Sequence, residues 1–110
     1  MDTTSQGKRA ESLVLEELES AGHVLITTNW RRPDCEIDLV TRHNRVVFFT
    51  EVKYRSTYGF GGGLDYITDK KLNQMKYAAE RWMQENNHAD ACILQAAEVD
   101  ADDNVTLVEC

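Results

Sequence analysis

Proline is almost missing from this chain. The single residue, Pro33, leaves no Pro-rich linker, and it falls in a short polar stretch where its absent N–H does no harm. Cysteine is sparse and odd in number. Cys35, Cys92 and Cys110 share no CxxC spacing, which argues against a disulfide framework or a zinc cluster and for free thiols in a reducing compartment. No apolar run approaches the roughly 20 residues of a membrane span, and Met1-Asp2-Thr3-Thr4-Ser5 offers no signal-peptide core. The chain therefore reads as cytoplasmic. Basic charge is also short: 12 Lys and Arg stand against 19 Asp and Glu, a net charge of −7. A nonspecific nucleic-acid binder with a basic face is disfavoured by that balance. His23, His43 and His88 are scattered along the sequence, so neither a triad nor a histidine metal cluster is indicated.

What is present is ordinary globular composition, 42% hydrophobic and 28% charged, and 110 residues suit one domain spanning 1–110. Charge is unevenly spread. From Asn29 to Arg55 six basic residues face four acids, a local +2, which leaves −9 for the remainder; from Asp90 to Cys110 there are six acids and no Lys or Arg. Local attraction for phosphate is thus permitted near the middle of the chain.

Apolar residues at helical spacing (Ala10, Leu13, Val14, Leu18, Ala21) predict a helix from about Ser5, with Gly22 as its stop. Val24 to Thr28 reads as a buried β-branched strand, Asn29 to Asp34 as a loop, and Glu36–Thr41 with Val46–Tyr54 as a hairpin around His43-Asn44. Arg55 to Ile67 holds four of the six glycines and reads as a mobile flap, where Tyr58, Phe60 and Tyr66 would pack the loop or stack on bases. Gly61-Gly62-Gly63 lacks the pattern of a phosphate loop. Thr68-Asp69 can cap a second helix to about Asn87, whose stripe is Leu72, Met75, Ala79, Trp82 and Met83. Strands at Ala91–Ala97 and Val105–Val108 close an α/β fold of order αβββαβ(β), with a parallel right-handed crossover after the hairpin.

The strand Val46–Tyr54 carries the chemistry. It is apolar on both alternating faces until Glu51 and Lys53 appear on one of them. Charges near the end of a buried strand are costly unless paired or bound to metal. In the preceding strand Glu36 and Asp38 share a face, with Ile37 and Leu39 on the other. A hairpin register placing Asp38 beside Glu51 would gather hard oxygen ligands suited to Mg2+ or Mn2+. The plain alternative is a Glu51–Lys53 ion pair closing a strand end, of little energetic weight when exposed.

Asp38 followed by Glu51-Val52-Lys53 resembles the D…(D/E)xK signature of the PD-(D/E)XK, restriction-endonuclease-like nucleases. The blocks Asn29-Trp30-Arg31, Glu36-Ile37-Asp38-Leu39-Val40 and Val47 to Lys53 with Arg55, in that order, are similar to the YraN-like family within them. The resemblance implies a mixed sheet flanked by helices and Mg2+- or Mn2+-dependent hydrolysis of DNA, duplex or branched. It implies metal ligation by Asp38, Glu51 and the Val52 carbonyl, and catalytic assistance from Lys53. Archaeal Holliday-junction resolvases, more distant relatives, add a first-helix glutamate that Glu11 matches; its plainer role is an acid near a helix N-terminus. Arg31, Arg32, Arg55, Lys70 and Lys71 flank the site as candidate phosphate contacts, and Glu36 could be a ligand or a partner of a basic residue. Cys35 and Ala10 stand where the family usually has glycine; Cys35 either narrows the approach or fills a small space. A homodimer would help so small a chain engage two strands. The rival function is a catalytically silent module of this fold that binds nucleic acid or a protein partner.

Overall fold

The computed structural model describes residues 3–55, 67–88 and 91–110. Their elements are α1 (Thr3–Ser20), β1 (Val24–Arg32), β2 (Cys35–His43), β3 (Val46–Tyr54), α2 (Asp69–Glu85), β4 (Cys92–Val99) and β5 (Val105–Glu109). The strands form one sheet in sequence order. β1, β2 and β3 are an antiparallel meander, β3 and β4 pair in parallel across α2, and β5 returns antiparallel to β4. The α/β fold and its helical crossover agree with the sequence reading.

Both helices are bounded by local chemistry. Gly22, at φ +101°, ends α1: its N–H reaches Glu19 O and that of His23 reaches Leu18 O, both at 3.0 Å. These paired bonds satisfy carbonyls that the helix end would leave bare, and the positive φ is why glycine stands there. At the start of α2 the Thr68 hydroxyl accepts from Lys71 N at 3.1 Å, closing an N-cap.

Central strand β3 is covered on both faces. Val47 and Phe49 pack with Ala78, Ala79 and Trp82 of α2. Val52 and Tyr54, of opposite parity, pack against the cluster that Ala10, Val14 and Leu18 of α1 form with Leu39, Ala97 and Val99. Two buried polar groups within the sheet satisfy one another, Gln95 Nε2 donating to Thr50 Oγ1 at 2.9 Å.

Several expectations are corrected. Asn29–Arg32 are not loop but the continuation of β1, so only Pro33 and Asp34 turn the chain between β1 and β2. Asn29 enters the strand at φ +48°, and a register shift lies between Leu25 and Thr27; pairing with β2 overrides the polar composition. Val24 to Thr28 is not buried, because β1 is an edge strand: Val24 is 65% exposed, and Leu25 and Ile26 are exposed too. Ala21 lies exposed beyond the end of α1. Ile37 and Leu39 do not share a face; Ile37 enters the α2 cluster and Leu39 the α1 cluster, so the backbone rotates across Asp38. The expected flap with Tyr58, Phe60 and Tyr66 lies outside the described residues. No described helix is long and apolar enough to cross a membrane.

The histidines are less scattered in space than in sequence. His23 and His43 stack with centroids 4.7 Å apart, and His23 Nδ1 lies 2.9 Å from Thr41 Oγ1. Burial, and then the charge of His43, push the His23 pKa below its usual 6.5. The native state therefore resists a proton that the unfolded chain accepts, and stability falls as pH drops from 6.5 through the depressed value. We predict that His23 titrates below 6.5 by NMR and that His23→Gln loses this component of acid destabilisation. Titration at or above 6.5 would refute the burial argument.

Candidate active site

The β2–β3 ladder ends at Leu39–Thr50. Continued by one step, its register would set Asp38 opposite Glu51, as the sequence predicts. Instead the strands part, and the Asp38 carboxylate bridges the gap by accepting the Val52 N–H at 2.7 Å. A charged acceptor makes this bond stronger than a neutral ladder bond. It also holds one carboxyl oxygen on the protein and leaves the rest of the group facing its acidic neighbours.

Those neighbours are Glu51 of β3, Glu11 of α1 and Glu36 of β2. Burial is the largest cause raising Asp38; the Val52 N–H opposes it, and the charges of Glu51, Glu11 and Glu36 add to it, bringing the pKa to about 7. Glu11 is raised as well, chiefly by burial, while Asn29 Nδ2 at 3.4 Å opposes the shift. The structure thus brings Glu11, Asp38 and Glu51 into one electrostatic cluster, with Glu36 at its rim.

Lys53 is not the partner of Glu51. It is exposed, and its parallel cross-strand neighbour is Glu98. The plain Glu51–Lys53 pair is therefore replaced by another: Lys71 Nζ of α2 lies 2.9 Å from Glu51 Oε1. Glu98 went unnoticed in the sequence. Its side chain is 12% exposed and its Oε2 lies 3.4 Å from Arg55 Nε. The alternation of β4 places it on the face of Lys53, a signal available only once β4 is known to pair with β3.

Four of the five basic candidates, Arg31, Arg32, Lys70 and Lys71, line a groove of about 930 Å3 between the β1–β2 turn and α2 together with Asp34, Glu36 and Glu51, and Arg55 is not part of that lining. Most are already matched to acids. Arg31 pairs with Glu36 at 3.5 Å, Arg55 with Glu98, and Arg32 Nε donates to Glu85 Oε1 at 2.9 Å while its guanidinium lies 4.4 Å from the Trp30 ring centre. Asp34 accepts from Tyr77 and from Arg81, so both ends of the turn are tied to α2. Cys35 is partly buried beside this turn and packs against the α2 cluster, which favours space-filling over a chemical role. Burial pushes its thiol pKa up.

Among the described residues no three His, Cys, Asp or Glu side chains form a ready-made metal cage. Two adjoining carboxylates still fit Mg2+, which commonly binds one or two protein carboxylates and keeps waters or substrate phosphate for its other positions. Burial raises Asp38 most, and a divalent ion would relieve the smaller part that comes from its acidic neighbours.

The profile of the uncharacterised protein family UPF0102 matches residues 10–101. The chain belongs to that family. A UPF0102 protein of Sulfurihydrogenibium sp. (strain YO3AOP1) is 38% identical over 87 residues, covering 79% of this chain and 76% of the relative. One from Shewanella frigidimarina (strain NCIMB 400) is 33% identical over 106 residues, 96% of this chain and 98% of the relative. Among solved structures, Hjc of Archaeoglobus fulgidus, a Holliday junction resolvase from an archaeal hyperthermophile, is similar at a TM-score of 0.60. That likeness has 19% identity and covers 94% of this chain and 76% of that one. It bears out the restriction-endonuclease-like core that the family resemblance implied, and at this identity it speaks for the fold alone.

Asp38 generates a stability prediction. Its folded pKa, about 7, stands above the ordinary 3.8, so the native state binds the extra proton between those values. Its ionisation penalty is full above pH 7 and disappears as pH falls toward 4. Without metal, Asp38→Asn should raise the melting temperature at pH 8 by on the order of 5 °C and by much less at pH 5. Thermal melts in chelator at both pH values check this; equal shifts would refute it.

Proposed function

We propose that this chain is a divalent-metal-dependent nuclease domain, spanning residues 1–110 and acting on DNA phosphodiesters, duplex or branched. The observation that carries the reading is the parting of β2 and β3 at Asp38. It leaves a carboxylate with a raised pKa under the influence of Glu51, which itself lines a groove rimmed by basic side chains. Asp38 and Glu51, with the Val52 carbonyl, are the groups that would hold Mg2+ or Mn2+; Glu11 would adjoin them from α1. A bound ion would supply charge neutralisation at a phosphate oxygen and acidify a water molecule. Lys53, exposed on the face of Glu51, is free to approach phosphate and stabilise developing negative charge. Lys70 would meet the backbone directly, and Arg31, Arg32, Arg55 and Lys71 would do so after exchanging their present acidic partners, which makes weak DNA binding the expectation. A homodimer would present two such sites to two strands. The described similarity to a resolvase supports the nuclease reading through the fold.

The second reading is a catalytically silent module of the same fold that binds nucleic acid or a protein partner. It is favoured by the net charge of −7 and by the acids already set against Arg31, Arg32 and Arg55. Metal binding separates the two. With a Kd of about 1 mM, about 10 mM Mn2+ should add roughly 1.4 kcal/mol to stability. The corresponding rise in melting temperature is roughly 5 to 10 °C. Asp38→Asn should abolish most of that rise and Glu36→Gln should keep it. Equal shifts in wild type and Asp38→Asn would place the cation elsewhere.

Activity is tested on linear, nicked, flapped and four-way DNA with Mg2+ or Mn2+. Cleavage should fall at least about 100-fold in Glu51→Ala and in Lys53→Ala. Undiminished cutting by Glu51→Ala would overturn the proposal. Binding should show a shallow salt dependence, from roughly two to four phosphate contacts, that flattens further in the Arg31→Ala, Arg32→Ala double variant. An unchanged log–log slope would remove those two arginines from the interface.

A further inference from the structure

We propose that Lys71 is the resident counter-cation of the acidic cluster, and that a divalent ion must displace its ammonium from Glu51 in order to bind. This deepens the metal-site reading above and rests on it.

The cluster needs a cation. The Asp38 carboxylate is anchored on the Val52 N–H one residue along from Glu51, whose own side chain is only 20% exposed, so positive charge nearby is at a premium. The lysine that stands closest to Glu51 along β3 does not supply it: Lys53 is exposed and forms no ion pair with Glu51. The charge comes from α2, with Lys71 Nζ 2.9 Å from Glu51 Oε1 and the two side chains 32% and 20% exposed. A pair this sheltered from water is screened less than a surface pair.

Its placement is built in. Lys71 is the third residue of α2, and its backbone N–H is the one that the Thr68 cap accepts at 3.1 Å. The cap therefore fixes the base of the side chain, and the first helical turn delivers the ammonium to Glu51. The partial positive charge of the same helix end favours the carboxylate as well. Glu51 is thereby held by a positive end of α2 in the position where it would otherwise face Asp38 unscreened.

An ammonium and a metal ion cannot share one carboxylate oxygen without repelling each other. Binding of Mn2+ or Mg2+ therefore sets two cations in competition, and apparent metal affinity is lowered by the ion pair that has to open. Once released, the ammonium remains tethered at the wall of the groove that Arg31, Lys70, Asn73 and Gln74 also line. A phosphate entering that groove is the anion that would take the place of Glu51.

Two measurements test the displacement, neither of which reads activity. The first is isothermal titration of Mn2+ into wild type, Lys71→Met and Lys71→Arg, with Lys76→Met as a control for loss of one exposed charge on the same helix. Lys71→Met should bind Mn2+ about tenfold more tightly, whereas Lys71→Arg and Lys76→Met should stay near wild type. Unchanged or weaker binding by Lys71→Met overturns the proposal. The second uses only the wild-type protein. Mass-spectrometric footprinting with an amine acylating reagent should find Lys71 protected in chelator and several-fold more reactive in Mg2+, while Lys76 does not change. A Lys71 reactivity indifferent to Mg2+ also overturns it. Asp38→Asn and Glu51→Gln are titrated alongside. If both retain wild-type Mn2+ affinity, the metal-site reading itself has failed; if they lose it while Lys71→Met gains nothing, only the counter-cation role has.

Discussion

The hydrogen bond from Val52 N to the Asp38 carboxylate is the constraint on which the site depends. Two antiparallel strands normally continue their ladder until one of them stops. Here the backbone pairing is given up after Leu39–Thr50, and a side chain takes over one backbone donor. The opened gap turns β2 so that Ile37 and Leu39 enter different cores, and it sets carboxylates where main chain would have closed the sheet. Burying an unpaired N–H of Val52 would be costly, so the bond and the gap maintain each other. Replacing Asp38 with an apolar residue would therefore remove more than a ligand.

Coverage of β3 on both faces makes this possible. A strand held by α1 on one side and α2 on the other tolerates the loss of pairing at its end, because Phe49 against Trp82 and Val52 against the α1 cluster keep it in register. The parallel neighbour β4 continues alongside as far as Val99. Only the β2–β3 ladder thus stops where Asp38 and Glu51 begin, while β1–β2 and β3–β4 pairing carries on past them.

The alternation of Val46–Tyr54, the hairpin before it and the capped helix after Thr68 were all legible, since each depends on residues a few positions apart. The convergence of Asp38 and Glu51 was legible too, because a short hairpin relates them. What escaped notice depends on which elements lie side by side. The run Val24-Leu25-Ile26 has the composition of a buried strand, and only its place at the sheet edge leaves it exposed. Asn29 to Arg32 are polar enough for a loop, yet β2 recruits them into pairing. Glu98 reaches the site from β4, and Lys71, already a candidate phosphate contact, comes from α2 to pair with Glu51; nothing near Glu51 in sequence announces Glu98 or that pairing. The plain alternative of a Glu51–Lys53 ion pair was not met for the same reason: adjacency along a strand is weaker information than a helix end aimed at a carboxylate.

The meander has a bearing on the order in which the molecule assembles. Two-residue turns at Pro33-Asp34 and Asn44-Arg45 make β1, β2 and β3 a set of local contacts, and the Asp38–Val52 bond spans only 14 residues. The Thr50–Gln95 bond across the parallel pair spans 45. Closing the longer loop costs more chain entropy, so on loop-closure grounds the meander forms first and the α2–β4 half docks later. Asp38 and Glu51 are then drawn together before Lys71 arrives to neutralise them.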